Sequence, residues 1–332
     1  MPSISLAICT HNPDPRSLRR LLAAIINQSE VKSLESVLLI DNNCEIALEG
    51  MECVQRFLNE IPVSKCIVEK KPGLTAARCR AINETASDVL VFFDDDNEPF
   101  VDYLTVLRKY FRQYPEVGVW GPGNINVVFL DPVSSDVSRR ADVFQASNRR
   151  FGFACIPGYV GEATPCGTGF AIRRPIVSHY FELVSNGSLS VTDRQGKMLT
   201  SGGDMQIIWE ASKLGFASGV IAELRCNHLI NASKANHEYI ARLAFGCASS
   251  YATALHQSLP QIAEEVVFPP RIVDVLREQL SLIVKSRIRP SKKLDYLIRQ
   301  ADTLGRAYGA ALVTCPEIEA RLRWMAKNRG FV

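Results

Sequence analysis

Three consecutive carboxylates, Asp94, Asp95 and Asp96, end the apolar run Val89–Phe93 in the stretch ASDVLVFFDDDNEP, and Glu98 follows two residues later. Charges of one sign this close repel unless something positive sits among them. The acids therefore either fan out into a solvated turn or hold a cation. Hard oxygen ligands favour Mg2+ or Mn2+. On an extended segment alternate residues point the same way, which would put Asp94 and Asp96 on one side and Asp95 on another. Two further apolar runs end in short polar groups, Thr10-His11-Asn12 and Asp41-Asn42-Asn43. Each alone is compatible with a turn, but three such ends on one rim suggest a site for a polar, phosphorylated ligand. The chain has neither GxxxxGK[ST] nor GxGxxG, so a glycine-rich phosphate cradle is poorly supported. A carboxylate-held divalent ion bridging to a pyrophosphate is the other general solution.

These groups need elements to position them, and the first 120 residues supply a regular alternation. Strands are expected at Ile4–Cys9, Val37–Ile40, Cys66–Val68, Val89–Phe93 and Val117–Trp120. Helices are expected at Arg16–Asn27, where Leu18, Leu21, Leu22, Ile25 and Ile26 share a face, and at Met51–Asn59, Thr75–Ala86 and Val101–Tyr114. Val89–Phe93, continuously apolar, reads as a strand buried on both faces. Such alternation implies βαβ units and a mainly parallel sheet, whose ligands bind outside the carboxyl ends of its strands. From Gly121 to Pro165 the pattern is lost among Gly, Pro, Asn and Ser. Order returns near Cys166–Arg173, a helix follows Gly203-Asp204, Ile221–His228 reads as a strand, and beyond Asn236 the chain reads as helical.

Composition describes an ordinary globular protein: 332 residues, 47% hydrophobic and 22% charged. The net charge of +3 is unevenly spread, with 13 Lys and Arg against 6 Asp and Glu from Arg271 onward, a local +7 that leaves −4 for the rest. Metal chemistry belongs in the acidic part, and an anionic surface or partner at the basic tail; no nucleic-acid partner is expected. MPSISLAICTHNP lacks the marks of a signal peptide. The ten cysteines form no CxxC pair and read as buried reduced thiols of a cytoplasmic protein. Leu243–Ala263 contains no charged residue but several polar ones and reads as a packed helix and turn, not a span.

SLAICTHNP with the Leu-rich helix that ends in Gln28, LLIDNNC, EKKPGLTAARCRAINETASDVLVFFDDDNEP, CGTGFAIRR, GGDMQIIWEASKLGF and RCNHLI occur in this order from about Ser3 to Lys234. Together they resemble the family 2 glycosyltransferases. The resemblance implies an α/β GT-A catalytic domain over residues 1–234, Rossmann-like, with a helical extension over 235–332. It implies that Thr10 and Asn12 line the nucleotide end of a cleft, that Asp41 contacts the base, and that Gly73 and Arg78 lie beside the nucleotide. Asp94 would approach ribose or metal, Asp95 would border the donor, and Asp96 would be the principal metal ligand, with His228 as a further one. Gly167, Thr168 and Gly169 would border the transferred sugar, and Asp204 would be the catalytic base. Purely structural readings compete: Arg78 as an exposed helix residue, Asp204 as a helix cap, His228 as a hydrogen-bonded strand residue.

The chain departs from the family pattern at Asp41-Asn42-Asn43-Cys44, where Asp-Asp-Gly-Ser is frequent, and at Gly203, where an acid usually precedes the base. The Gln-x-x-Arg-Trp motif of processive synthases is absent, since Ile207-Ile208 separate Gln206 from Trp209. The expected function is an inverting, Mn2+- or Mg2+-dependent transfer of a sugar from a nucleotide-diphospho-sugar to a saccharide or lipid-linked saccharide acceptor, in polysaccharide or glycolipid biosynthesis. A sugar nucleotidyltransferase competes, although Thr10–Arg16 has no glycine for a triphosphate loop; an inactive nucleotide-sugar-binding protein is the other alternative. In the tail, Ile272, Leu276, Leu280 and Ile283 fall at helical spacing beside Lys285, Arg287, Arg289, Lys292 and Lys293. That pattern suits either a helix packed on the catalytic domain or peripheral contact with an anionic membrane at its inner face.

Overall fold

The computed structural model describes residues 2–191, 193–194 and 199–332. Strands and helices alternate from the start: β1 (Ile4–Thr10), α1 (Pro15–Ile26), β2 (Ser36–Asp41), α2 (Glu52–Glu60), β3 (Ser64–Val68), α3 (Leu74–Asn83) and β4 (Val89–Asp94). Then come β5 (Asn97–Pro99), α4 (Tyr103–Gln113), β6 (Val117–Phe129), α5 (Ser135–Ser138), β7 (Ser147–Asn148), β8 (Gly152–Ala154) and β9 (Ala171–Arg173). After α6 (Arg174–Ser185), α7 (Gly203–Lys213) and β10 (Ala217–Ile230), the chain is helical: α8 (His237–Ser258), α9 (Pro260–Val266), α10 (Ile272–Ile288), α11 (Lys293–Thr314) and α12 (Glu319–Asn328).

Local chemistry accounts for these elements. Asp14 opens α1 by accepting the Arg16 amide at 2.8 Å, and Pro15 occupies the first helical position, where its missing N–H costs nothing. The 3.6-residue spacing then turns Leu18, Leu21, Leu22 and Ile25 into the core. Val89–Phe93 is buried throughout, as a strand covered on both faces requires.

The ten strands form one sheet in the order β3-β2-β1-β4-β9-β6-β10-β5, with β7 added to β6 and β8 to β10. The expected parallel pairing holds among β3, β2, β1 and β4. Beyond β4 it gives way: β9 is antiparallel to both β4 and β6, and β10 is antiparallel to β5 and β8. The irregular stretch expected after Trp120 is also partly strand, because β6 continues to Phe129. Its glycines serve close approach, not turns. A Cβ on Gly121 would lie 2.6 Å from the Pro165 side chain, and one on Gly123 would lie 2.8 Å from the Ile221 carbonyl.

Compactness divides the chain into two units. The first holds Met1–Val128, Phe144–Gly187 and Ile207–Ile230, and the second holds Phe129–Val143, Ser188–Gln206 and Asn231–Val332. In the first, Leu6, Ile8, Val37 and Phe93 of the sheet pack with Leu21, Phe57 and Leu107 of the helices. In the second, Ala241 and Phe245 of α8 pack with Ala301, Leu304 and Tyr308 of α11. Gly305 and Gly309 let these helices close up, since a Cβ on either would meet the α8 backbone within 2.7 Å. Leu243–Ala263 is shared between α8 and α9, and among the described residues no helix is long and apolar enough to cross a membrane.

Candidate active site

Register puts the polar strand ends side by side. Thr10 pairs with Asp41 across β1 and β2, and Cys9, one residue before Thr10, pairs with Asp94 across β1 and β4. Thr10 and Asp41 are both buried. The Asp41 carboxylate accepts the backbone amides of Cys44 at 2.9 Å and Leu48 at 3.0 Å, so it orders the loop after β2. Asn42, also buried, reaches the opposite way: its Nδ2 donates to the carbonyl of Lys71 at 2.7 Å, and its Oδ1 accepts the Gly73 amide at 2.9 Å. Gly73 has φ +116° and precedes α3, a conformation that excludes a β-carbon. Asn12, with φ +50°, accepts the Glu45 amide at 2.8 Å. One rim therefore carries Thr10, Asn12, Asp41 and Gly73, and Asn42 ties Thr10 to Gly73 through its backbone amide and its side chain.

The acidic run is not extended. β4 ends at Asp94, the chain turns at Asp95 and Asp96, and β5 begins at Asn97. The alternation argument for Asp94 and Asp96 therefore does not apply, because it assumes a strand. Asn97 shapes the turn: its Oδ1 accepts the Asp94 amide at 3.1 Å and its Nδ2 donates to Asp96 Oδ1 at 3.0 Å. Asp95 is drawn back to β1, where it accepts a hydrogen bond from the Thr10 hydroxyl. Asp96 is buried, and antiparallel pairing of β10 with β5 sets His228 opposite Asn97. His228 Nε2 then lies 3.4 Å from Asp96 Oδ1.

That pair tests whether a metal fits. His228 Nδ1 lies 2.8 Å from the Phe144 carbonyl oxygen, which can only accept, so Nδ1 carries the proton. A neutral ring then turns its Nε2 lone pair toward a carboxylate oxygen, and two acceptors face each other unless a proton or a cation lies between. A carboxylate and an imidazole whose second nitrogen is anchored suit a divalent ion such as Mn2+. Among the described residues no three His, Cys, Asp or Glu side chains come together as a metal cluster. The structure thus draws Asp96 and His228 together and leaves Asp94 outside the pair.

Arg78 is neither exposed nor in water. It is buried on α3, with its guanidinium 5.8 Å from the Phe92 ring centre and 5.3 Å from that of Phe170, a cation–π arrangement. Thr168 donates to the side chain of Gln145, a residue the sequence gave no reason to single out. Gly169 has φ +63°, and a Cβ there would lie 2.8 Å from the Tyr103 hydroxyl and 3.1 Å from the Phe93 ring. Its lack of bulk thus already serves the fold. Gly167 precedes these two in the same segment. Glu98 belongs to a second network, accepting from Arg20 at 2.8 and 2.6 Å and from Asn227 at 2.7 Å. Burial pushes the Glu98 carboxyl up, but the Arg20 and Asn227 hydrogen bonds outweigh it and hold the group below its ordinary value.

Asp204 belongs to the second unit, half-buried in the first turn of α7. The cap at this helix end is Asp193: its buried carboxylate accepts the amides of Gly202 at 2.7 Å and Gly203 at 3.0 Å. All ten cysteines are unbridged. Burial raises the Cys9 thiol to about 12, although Cys155 and Cys247 are exposed, contrary to the uniformly buried expectation.

The profile described as Glycosyl transferase family 2 matches residues 5–181. The chain belongs to this family. Within family 2 glycosyltransferases and their relatives, it is 24% identical over 224 residues to "Putative polypeptide N-acetylgalactosaminyltransferase 10" of Drosophila melanogaster, covering 64% of this chain and 32% of that protein. It is 26% identical over 122 residues to "Inactive polypeptide N-acetylgalactosaminyltransferase-like protein 5" of Macaca fascicularis, covering 36% of this chain and 27% of that one. The chain thus spans about a third of the length of these curated relatives. Among solved structures it is similar to the crystal structure of GalNAc-T7 with UDP, GalNAc and Mn2+, with a TM-score of 0.50 and 17% identity over 69% of this chain and 43% of that one. This last likeness carries the fold, and the GT-A architecture expected from the family motifs holds.

Proposed function

We propose that this protein is an inverting, metal-dependent glycosyltransferase that moves a sugar from a nucleotide-diphospho-sugar to an acceptor hydroxyl, in polysaccharide or glycolipid biosynthesis. The observation that carries the reading is the facing of Asp96 and His228 at 3.4 Å, beside the strand ends that carry Thr10, Asp41 and Asp94. Thr10, Asn12, Asp41, Gly73 and Arg78 hold the nucleotide, Asp94 and Asp95 border the ribose, and Gly167, Thr168 and Gly169 border the sugar. Asp96 and His228 hold Mn2+ or Mg2+, with Asp94 near it; a bound divalent ion would supply charge neutralisation to the departing nucleoside diphosphate. The family membership and the Mn2+ and UDP held by GalNAc-T7 support this assignment.

Asp204 takes the proton of the acceptor hydroxyl as its oxygen forms a bond to the anomeric carbon. The bond from that carbon to the diphosphate oxygen breaks with its electron pair on the diphosphate, and attack opposite the leaving group inverts the anomeric centre. Holding donor and acceptor in line lowers much of the remaining barrier. The acceptor is a saccharide or a lipid-linked saccharide; the lipid-linked form implies peripheral contact with an anionic membrane surface. Donor binding followed by thermal shift with Mn2+ tests the reading across nucleotide-diphospho-sugars. One donor is expected to stabilise the protein in Mn2+ and not in chelator, whereas stabilisation equal in both would remove the metal from the account.

A further inference from the structure

The tail helix α10 is apolar on two opposite sides. Its inner side is fixed to α11: Leu282 is buried, Val275 packs into the α8–α11 core, and Gln279 Nε2 donates to the Gln300 carbonyl at 3.0 Å and the Thr303 hydroxyl at 2.9 Å. Val273, Leu276, Leu280, Val284 and Ile288, by contrast, are between 43% and 71% exposed. At roughly 100° per residue these five fall within an arc of about 120°, centred opposite Leu282. An amphipathic surface helix should be polar on that side, and five large apolar side chains in one stripe mark an interaction surface.

Charge decides what the surface fits. From Gln279 to Leu294 the chain carries Lys285, Arg287, Arg289, Lys292 and Lys293 and no Asp or Glu. Arg277 and Arg287 fall within the apolar arc itself, where long side chains can lay their methylenes along the stripe and lift their charges to its edge. Just past the helix end, a cavity of about 450 Å3 is lined by Arg140, Arg289, Lys292, Asp295, Tyr296 and Arg299. Its one carboxylate, Asp295, is already paired with Arg140 at 2.8 Å, so Arg289, Lys292 and Arg299 leave the lining with an excess of positive charge. A second copy laid parallel would bring like charges together, and one laid antiparallel would offer the five cations only Glu278 and Asp274, the latter already paired with Arg271 at 3.4 Å. An anionic lipid surface satisfies both the stripe and the charge.

We propose that α10 lies in the interface of an anionic bilayer, with Val273, Leu276, Leu280, Val284 and Ile288 at the acyl boundary and the Arg289–Lys292–Arg299 cavity on a lipid phosphate. The surface is built from the second unit alone, so the proposal does not depend on the transfer reaction. It goes beyond a general basic tail by naming the face that inserts and the cavity that takes the headgroup.

Flotation of the full chain with vesicles tests it, using phosphatidylcholine alone and phosphatidylcholine with phosphatidylglycerol. Binding is expected only with phosphatidylglycerol, to be reversed by salt, and to be lost in Leu280→Glu/Val284→Glu. Arg289→Ala and Lys292→Ala should each weaken binding about fivefold, since a cation near an anionic surface contributes roughly 1 kcal/mol. The substituted side chains are exposed, so thermal unfolding and donor binding in solution should match the unaltered chain. Equal flotation with both vesicle types, or flotation unmoved by the double glutamate variant, would overturn the proposal. So would sedimentation showing a dimer that Leu280→Glu dissolves, because the face would then belong to a second copy.

Discussion

A carboxylate oxygen and an imidazole lone pair held 3.4 Å apart need a cation or a proton between them, and the Phe144 carbonyl fixes which ring nitrogen presents that lone pair. Asp96→Ala and His228→Ala should each weaken Mn2+-dependent donor binding by more than about a hundredfold, beyond the 10–100-fold typical of outer-shell partners. Titration calorimetry with Mn2+ present and absent reads this directly. Asp204→Asn belongs to a different step. As loss of a general base it should lower turnover by about 10²–10⁴-fold while donor affinity stays put, and Asp193→Ala should instead lower stability, because Asp193 caps α7. Glu98 gives a pH signature. Its carboxyl is depressed in the folded protein, so its contribution to stability is present above the unfolded value of about 4.3 and is lost as pH falls through the lower folded value. Melting temperature should fall over that acid window in the unaltered chain and more shallowly in Glu98→Gln. Asp94, Asp95 and Asp96 stand out in the sequence because adjacent carboxylates imply chemistry, whereas Asp204 stands out only through the family resemblance. Asn97 and Gln145 do not, since their roles come from hydrogen bonds to neighbours that only the folded chain supplies.

Among the elements, the parallel strands could be read because each βα step is local: a run of apolar residues, a polar end, then a 3.6-residue period. The antiparallel half could not. β9 has only three residues, and β6 runs through Gly121, Pro122 and Gly123, whose types normally signal a turn. What makes them strand is contact with Pro165, Ile221 and Ala222, far off in sequence. The turn at Asp95–Asp96, one of the two readings open for the acidic run, was left undecided for a similar reason, because it depends on the Asn97 side chain and on pairing of β5 with β10. Gly169 joins element to site. Its φ of +63° and the nearness of Tyr103 mean that Gly169→Ala should cost roughly 2–5 kcal/mol, combining about 1–2 for the left-handed conformation with about 1–3 for overpacking. A chemical denaturation midpoint measures this, and an unchanged midpoint would show that the Tyr103–Gly169 contact yields readily.

Across the whole molecule, charge and chemistry are divided along the chain. The acidic part bears the three strand ends, while the tail from Arg271 onward bears +7. The family motifs, spread from about Ser3 to Lys234, made this part recognisable because their order constrains it even where each is short, and the family profile matches residues 5–181. The tail has no such motif; its sequence left a packed helix and a membrane-facing one both open, and the exposed side of α10 is what the membrane proposal rests on. Transfer from a nucleotide-diphospho-sugar is tested most directly by donor turnover in the absence of acceptor. Purified protein is incubated with Mn2+ and each nucleotide-diphospho-sugar in turn, and release of nucleoside diphosphate is followed. Slow release from one donor, abolished by chelator and by Asp96→Ala, is the expected result. Release from none of them, or release that persists in Asp96→Ala with chelator present, would contradict it.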